Sequence, residues 1–133
     1  MVKEFKNKKE WALILGGSSG LGLATAKKLS KHGMNICIIH RNSRSQLGQI
    51  EKDFKEITQE EVAFISYNTD AFHSEKRATL IENLKKELEG GKIKILVHSV
   101  AKGNLKPMVS DSISTLQTDD FQLTIQAMGI SLY

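Results

Sequence analysis

The chain has 133 residues, 40% of them hydrophobic and 26% charged, with a formal net charge of +4 and one cysteine. That size and apolar content suit one soluble globular domain, and no run of about 18 uncharged apolar residues exists to span a membrane. The charged start, MVKEFKNKKEW, lacks the apolar centre of a signal peptide, so a cytoplasmic protein is expected.

Trp11 to Leu15 (WALIL) is a short continuous apolar run, the pattern of a strand covered on both faces. Leu21 to His32 reads as a helix, with Leu21, Ala24, Thr25 and Leu29 roughly on one side. Lys31 and His32 suit its negative end and Gly33 supplies a cap. Asn35 to Ile39 (NICII) is a second strand, and its Cys37 is expected to be buried and inert. Leu47, Ile50, Phe54 and Ile57 then follow amphipathic helical spacing. Val62 to Ser66 is a third strand. Leu80, Ile81, Leu84 and Leu88 mark a helix stopped by Gly90 and Gly91, and Lys94 to Val100 is a fourth strand. A longer loop carries Pro107, and a last helix begins near Thr118 or Asp119 with Asp120 in its first turn. Strand and helix alternating with short connections imply βαβ units and a parallel sheet. No repeat, low-complexity stretch or linker divides the chain, so residues 1–133 are expected to form a single domain.

Between the first strand and its helix stand Gly16, Gly17, Gly20 and Gly22, in the order G-x-x-x-G-x-G. A glycine near Gly16 allows a sharp turn, Gly20 lets the backbone approach a pyrophosphate, and Gly22 lets the helix pack close to the strand. The helix N-terminus adds unpaired N–H groups and a partial positive charge, and Ser18 and Ser19 can donate further hydrogen bonds. A flexible loop with chance glycines would not be expected between a strand and a helix in a run of βαβ units. A dinucleotide-binding loop is the reading this context supports.

An NAD site usually places an acid about 20 residues beyond such a loop, on the ribose 2′-hydroxyl. This chain reads IIHRNSRS there, with no acid from Asn35 to Ile50. His40 takes the acid's position and Arg41 follows, able to hold a 2′-phosphate through charge-assisted hydrogen bonds. NADP(H) is therefore the expected cofactor, against the alternative of a solvated arginine in a loop.

These residues resemble the short-chain dehydrogenase/reductase family. LGGSSGLG is similar to its T-G-x-x-x-G-x-G, with Leu15 where Thr is common, and IIHRN resembles its NADP-type second-strand ending. NTDA (Asn68 to Ala71) is similar to its third-strand Asp-Val pair, which implies adenine contacts from Asp70 and Ala71. LVHSVAKG (Leu96 to Gly103) stands where most members have Asn-Asn-Ala-Gly. Its HSVA resembles the enoyl-[acyl carrier protein] reductase branch, as does the last helix, where Met128 replaces a catalytic Asn.

The resemblance covers Trp11 to Tyr133 and implies a Rossmann-type doubly wound α/β parallel sheet, truncated after the fourth strand and its helix. It implies a cofactor site built from Gly16, Ser18, Ser19, Gly20, Leu21, Gly22, His40, Arg41, Asp70, Ala71, Ser99, Val100 and Ala101. The implied reaction is hydride transfer from NADPH to an enoyl thioester, a small-molecule substrate, with a family Tyr as acid and a Lys beside it. Members run to about twice this length, in keeping with α/β domains of roughly 200–250 residues. The Tyr and Lys lie on segments beyond this chain, so the catalytic residues are unknown. Tyr133 and His98 are not assigned that role. His32, His40, His73 and His98 lie on separate segments without ligand spacing, so no metal site is expected.

Two apolar stripes run along the last helix: Phe121, Ile125, Met128 and Leu132, and Leu123, Ala127 and Ile130. One can cover the sheet while the other faces a second copy, so a homo-oligomer joined through this helix is expected. An uncovered fourth strand would be an exposed edge, so the chain is expected to be part of a longer enzyme or to depend on a partner. A 3-oxoacyl-type carbonyl reductase of the same family and a non-catalytic NADP(H)-binding module are the alternatives. The scattered lysines, without interleaved aromatics, do not point to nucleic acid.

Overall fold

The computed structural model describes residues 2–133. Strands and helices alternate as β1 (Glu10–Leu15), α1 (Gly20–Lys31), β2 (Asn35–His40), α2 (Arg44–Thr58), β3 (Phe64–Asn68), α3 (Ser74–Glu87), β4 (Lys92–His98) and α4 (Thr118–Met128), with a 3₁₀ turn at Ile130–Leu132. The chain divides into two compact units, the first ending at Ser99 and the second running from Val100 to Tyr133. No helix among the described residues is long and apolar enough to cross a membrane.

In the first unit the four strands pair in parallel in the order β3-β2-β1-β4. Of the two inner strands, β1 has β2 on one side and β4 on the other, with Leu15 opposite Ile39 and His98. The strand order therefore reverses at β1, and ligand crevices open beyond the carboxyl ends of strands at such a switch point.

Alternation along the strands feeds two cores. Ala12, Ile14, Ile36 and Ile38 face Ala26 of α1 and Ile50, Phe54 and Ile57 of α2. Trp11 and Cys37 point the other way, onto Leu84 of α3. Helices thus cover both faces, the doubly wound arrangement expected. β2 reads as one apolar run because both its faces are buried. That burial pushes the Cys37 thiol up to about 12, which keeps it protonated and unreactive at neutral pH.

The helix ends follow local chemistry. After α1, the Gly33 N–H donates to the Ser30 carbonyl at 2.8 Å and the Met34 N–H to Leu29 at 3.1 Å, satisfying carbonyls the helix leaves open. At the start of α2 the Ser43 N–H donates to Gln46 Oε1 at 3.1 Å, the backward arm of a capping box.

Two strands differ from the sequence expectation. β3 begins at Phe64 rather than Val62 and runs on through the polar Tyr67 and Asn68, because its register is set by pairing with Ile36 to His40. β4 begins two residues early, at Lys92, and ends at His98. A register shift lies between Trp11, opposite Ile93, and Ala12, opposite Ile95. Lys94 is the extra residue of that irregularity, and it breaks the two-residue alternation.

In the second unit α4 is fastened to the preceding loop by Asp120. The buried carboxylate accepts from the Gln117 N–H at 2.8 Å, from Asn104 Nδ2, and from Lys106 Nζ at 3.1 Å to each oxygen. The Gln117 N–H, then the Asn104 amide and the Lys106 ammonium, hold this carboxyl down at about 2, below its ordinary 3.8. A depressed carboxyl contributes stability above its unfolded pKa and loses it as pH falls through the folded value. We expect Asp120→Asn to be less stable than wild type at pH 7, with the gap closing as pH falls from 3.8 towards about 2. Denaturant unfolding of both proteins across that range checks it; a gap independent of pH would contradict it. Phe121, Ile125 and Met128 are exposed on α4, which ends before Leu132, itself exposed in the 3₁₀ turn; on the other stripe Ala127 is buried, Leu123 half-buried and Ile130 exposed.

Candidate cofactor site

β1 ends at Leu15, and the Gly16 N–H donates to the Ile39 carbonyl at 2.8 Å, so the loop leaves the sheet still tied to β2. Gly16 (φ 79°) and Gly20 (φ 53°) both take the left-handed conformation that disfavours a side chain. At Gly22 the constraint is contact: a Cβ there would run into the Gly16 carbonyl and come within 3.2 Å of the Gly17 Cα. Helix and loop are therefore packed backbone on backbone. A Cβ at Gly20, in contrast, would meet nothing within 4 Å. Gly16 makes the turn expected of it, while the close contact at Gly22 is with the glycine loop where contact with the strand was expected.

That open space lies at the N-terminus of α1. Ser19 is the cap residue, but its side chain makes no capping hydrogen bond, and the first turn holds no acidic residue. The positive end of the helix is thus left without a side-chain counter-charge, which suits an anion. Leu21, beside it, is 83% exposed, an apolar side chain held out at the same helix end. Ser18 and Ser19 differ: the Ser18 hydroxyl already donates to Asn42 Oδ1 at 2.8 Å. The room at Gly20 and the uncapped N–H groups fit a dinucleotide pyrophosphate.

The end of β2 stands beside this loop. Arg41 is exposed and its Nη1 lies 3.1 Å from Asp70 Oδ2, an ion pair between the loops after β2 and β3. His40 is buried, with its ring edge-on to Phe54 at 5.5 Å and its Nδ1 2.9 Å from Asn42 Oδ1. Its imidazole thus contacts core and loop, and the exposed charge next to it at the end of β2 is that of Arg41. Ala71 is half-buried next to Asp70. The Ser99 N–H donates to the Leu15 carbonyl at 2.8 Å, which fixes Ser99 beside the end of β1. Val100, half-buried, and Ala101, exposed, open the second unit.

Comparison with known proteins decides the family. The family model for short chain dehydrogenase matches residues 10–131. The chain belongs to the short-chain dehydrogenase family. Within it, the human very-long-chain 3-oxoacyl-CoA reductase is 35% identical over 91 residues, 68% of this chain and 27% of that protein. The chain thus spans about a quarter of that relative's length. The NAD⁺-bound xylitol dehydrogenase structure superposes with a TM-score of 0.72 at 23% identity, covering 93% of this chain and 44% of its own. The NADPH-dependent 3-quinuclidinone reductase of Rhodotorula rubra gives a TM-score of 0.69 at 18% identity, covering 95% and 44%. At those identities the two structures support the fold. The human, mouse and bovine relatives are very-long-chain 3-oxoacyl-CoA reductases, so the family is shown while the narrower enoyl reductase branch read from the sequence is not.

Three residues of this short-chain dehydrogenase site were not read from the sequence: Asn42, Gln46 and Asn68. Asn42 bonds to Ser18, His40, Gln46 and Asn68, and Asn68 lies 26 positions away. Their one signal is the cluster of short polar residues at the ends of two strands, which local patterns assign to turns.

Proposed function

We propose that this chain is the cofactor-binding part of an NADP(H)-dependent reductase acting on the carbonyl of a 3-oxoacyl thioester. The observation that carries the cofactor choice is Arg41, exposed next to His40, which stands where an NAD site would hold an acid. Gly20 and the N–H groups opening α1 take the pyrophosphate, with Gly16, Ser19, Leu21 and Gly22 shaping the approach. Arg41 takes the 2′-phosphate, and Asp70 and Ala71 border the adenine. Ser99, at the end of β4, is given the nicotinamide side of the site, and His40 and Ser18 support it through Asn42. When bound, the cofactor supplies a hydride. No residue of this chain is assigned as the proton donor.

The carbonyl reading is supported by the likeness to the very-long-chain 3-oxoacyl-CoA reductases. A second reading, enoyl-thioester reduction, is favoured by His98-Ser99-Val100-Ala101 and by Met128, as the sequence resemblance implied. The two separate in one assay of the protein expressed from its complete gene: NADPH oxidation with a 3-oxoacyl thioester and with a 2-enoyl thioester of equal chain length. Faster turnover of the 3-oxoacyl compound is expected. Turnover of the enoyl compound alone would reverse the assignment, and binding of NADPH without turnover of either would favour a non-catalytic module.

A further inference from the structure

Asn42 uses every hydrogen-bonding group it has. Its Oδ1 faces Ser18 Oγ at 2.8 Å and His40 Nδ1 at 2.9 Å, and its Nδ2 faces Gln46 Oε1 at 3.2 Å. Gln46 Oε1 also accepts the Ser43 N–H, so it is an oxygen, and the Asn42 amide is fixed with its nitrogen towards it. Oδ1 can then only accept, which makes both Ser18 and His40 Nδ1 donors. On the main chain, the Asn42 N–H donates to Asn68 Oδ1 at 2.9 Å and its carbonyl accepts from Asn68 Nδ2 at 3.1 Å.

The result brackets Arg41. On one side the His40 carbonyl accepts the Thr69 N–H at 2.8 Å; on the other Asn42 is bound to Asn68. The peptide that carries the guanidinium is therefore stitched to the end of β3 before and after Arg41, and tied through Ser18 to the glycine loop. Arg41 itself is exposed and reaches only Asp70 among the described residues, in an ion pair at 3.1 Å. An exposed pair of that kind is weak and would not by itself fix where the guanidinium stands. Fixing its position is work left to the backbone.

We infer that Asn42, clasped by Asn68, is a positioning residue that sets how strongly the site discriminates NADP(H) from NAD(H), acting through Arg41 without contacting the cofactor. The inference rests on the NADP(H) reading above and deepens it. Placing a guanidinium for a 2′-phosphate matters only to the phosphorylated cofactor, so loss of the clasp weakens NADPH more than NADH.

The test measures NADPH and NADH dissociation constants by calorimetry on the protein expressed from its complete gene. Wild type, Asn42→Ala, Asn68→Ala, Arg41→Ala and the Arg41→Ala/Asn42→Ala double variant are compared. Asn68→Ala removes both bonds to the Asn42 main chain, and Asn42→Ala removes the ties to Ser18, His40 and Gln46. Each is expected to lower the NADPH-to-NADH preference roughly five- to tenfold, the scale of one or two net hydrogen bonds. The double variant is expected to show no further loss of preference beyond Arg41→Ala, since the clasp acts through that residue. Thermal unfolding reports intact folding, a loss common to both cofactors is read apart from the change in their ratio, and Asn68→Ala keeps the test open if Asn42→Ala fails to fold. An unchanged preference in a folded clasp variant overturns the inference, as does a full additional loss in the double variant. A wild type without NADPH preference, or one insensitive to Arg41→Ala, overturns the NADP(H) reading and the inference with it.

Discussion

Adding a single methyl at Gly22 is expected to abolish dinucleotide binding and to destabilise the fold. The methyl would overlap the Gly16 carbonyl and crowd the Gly17 Cα, both backbone atoms with no rotamer to give way. Loop and helix must separate, at a cost of about 1–3 kcal/mol for overpacking a close contact. The separation also moves the first-turn N–H groups away from the loop they share with Gly16 and Gly20. Gly20→Ala isolates the binding effect from the folding effect. Its methyl enters open space, so the cost to folding is limited to the left-handed backbone, about 1–2 kcal/mol. Yet that space is where the pyrophosphate is placed, so we expect affinity for NADPH and NADH to fall together by at least about tenfold, or 1.4 kcal/mol. Thermal unfolding with cofactor titration checks both. A folded Gly20→Ala that binds with wild-type affinity would remove the phosphate from this loop.

The second large effect is expected from Arg41→Ala. A charge-assisted hydrogen bond contributes about 1.5–3 kcal/mol, so NADPH should bind roughly ten- to a hundredfold more weakly while NADH changes little. Stability should hardly move. The pair that the substitution breaks, with Asp70, is exposed at the Arg41 end and contributes about 0–1 kcal/mol at most. That weakness also makes it easy for a phosphate to draw the guanidinium from Asp70. Parallel titrations with the two cofactors read the difference, and equal losses for both would remove Arg41 from the 2′-phosphate.

Much of this was legible along the chain, because the strongest signals are local. The apolar run of β2, the α2 spacing of Ile50, Phe54 and Ile57, and the ordered glycines each follow from a few neighbouring residues. The bounds of β3 and β4 were not legible. One is set by register against β2 and the other contains the irregularity at Lys94, and both depend on a partner strand. The clasp on Arg41 escaped for the same reason. Ser18 and Asn42 are 24 positions apart, and nothing in the identity of either residue predicts that they meet. His40 shows the limit from the other side. Its position in the sequence matches the acid of an NAD site, but Phe54 and Asn42 engage its ring. The branch within the family rested on HSVA and Met128, and four residues and one helix position are a narrow base beside 91 aligned residues.

We propose that residues 2–99 form a phosphate-binding cradle tuned to NADP(H). The most direct measurement is a calorimetric titration of the protein expressed from its complete gene with NADPH and, separately, NADH. Saturable binding of both, one cofactor per chain and tighter for NADPH, is the predicted result. Binding of neither would contradict the cradle, and tighter binding of NADH would contradict the role given to Arg41.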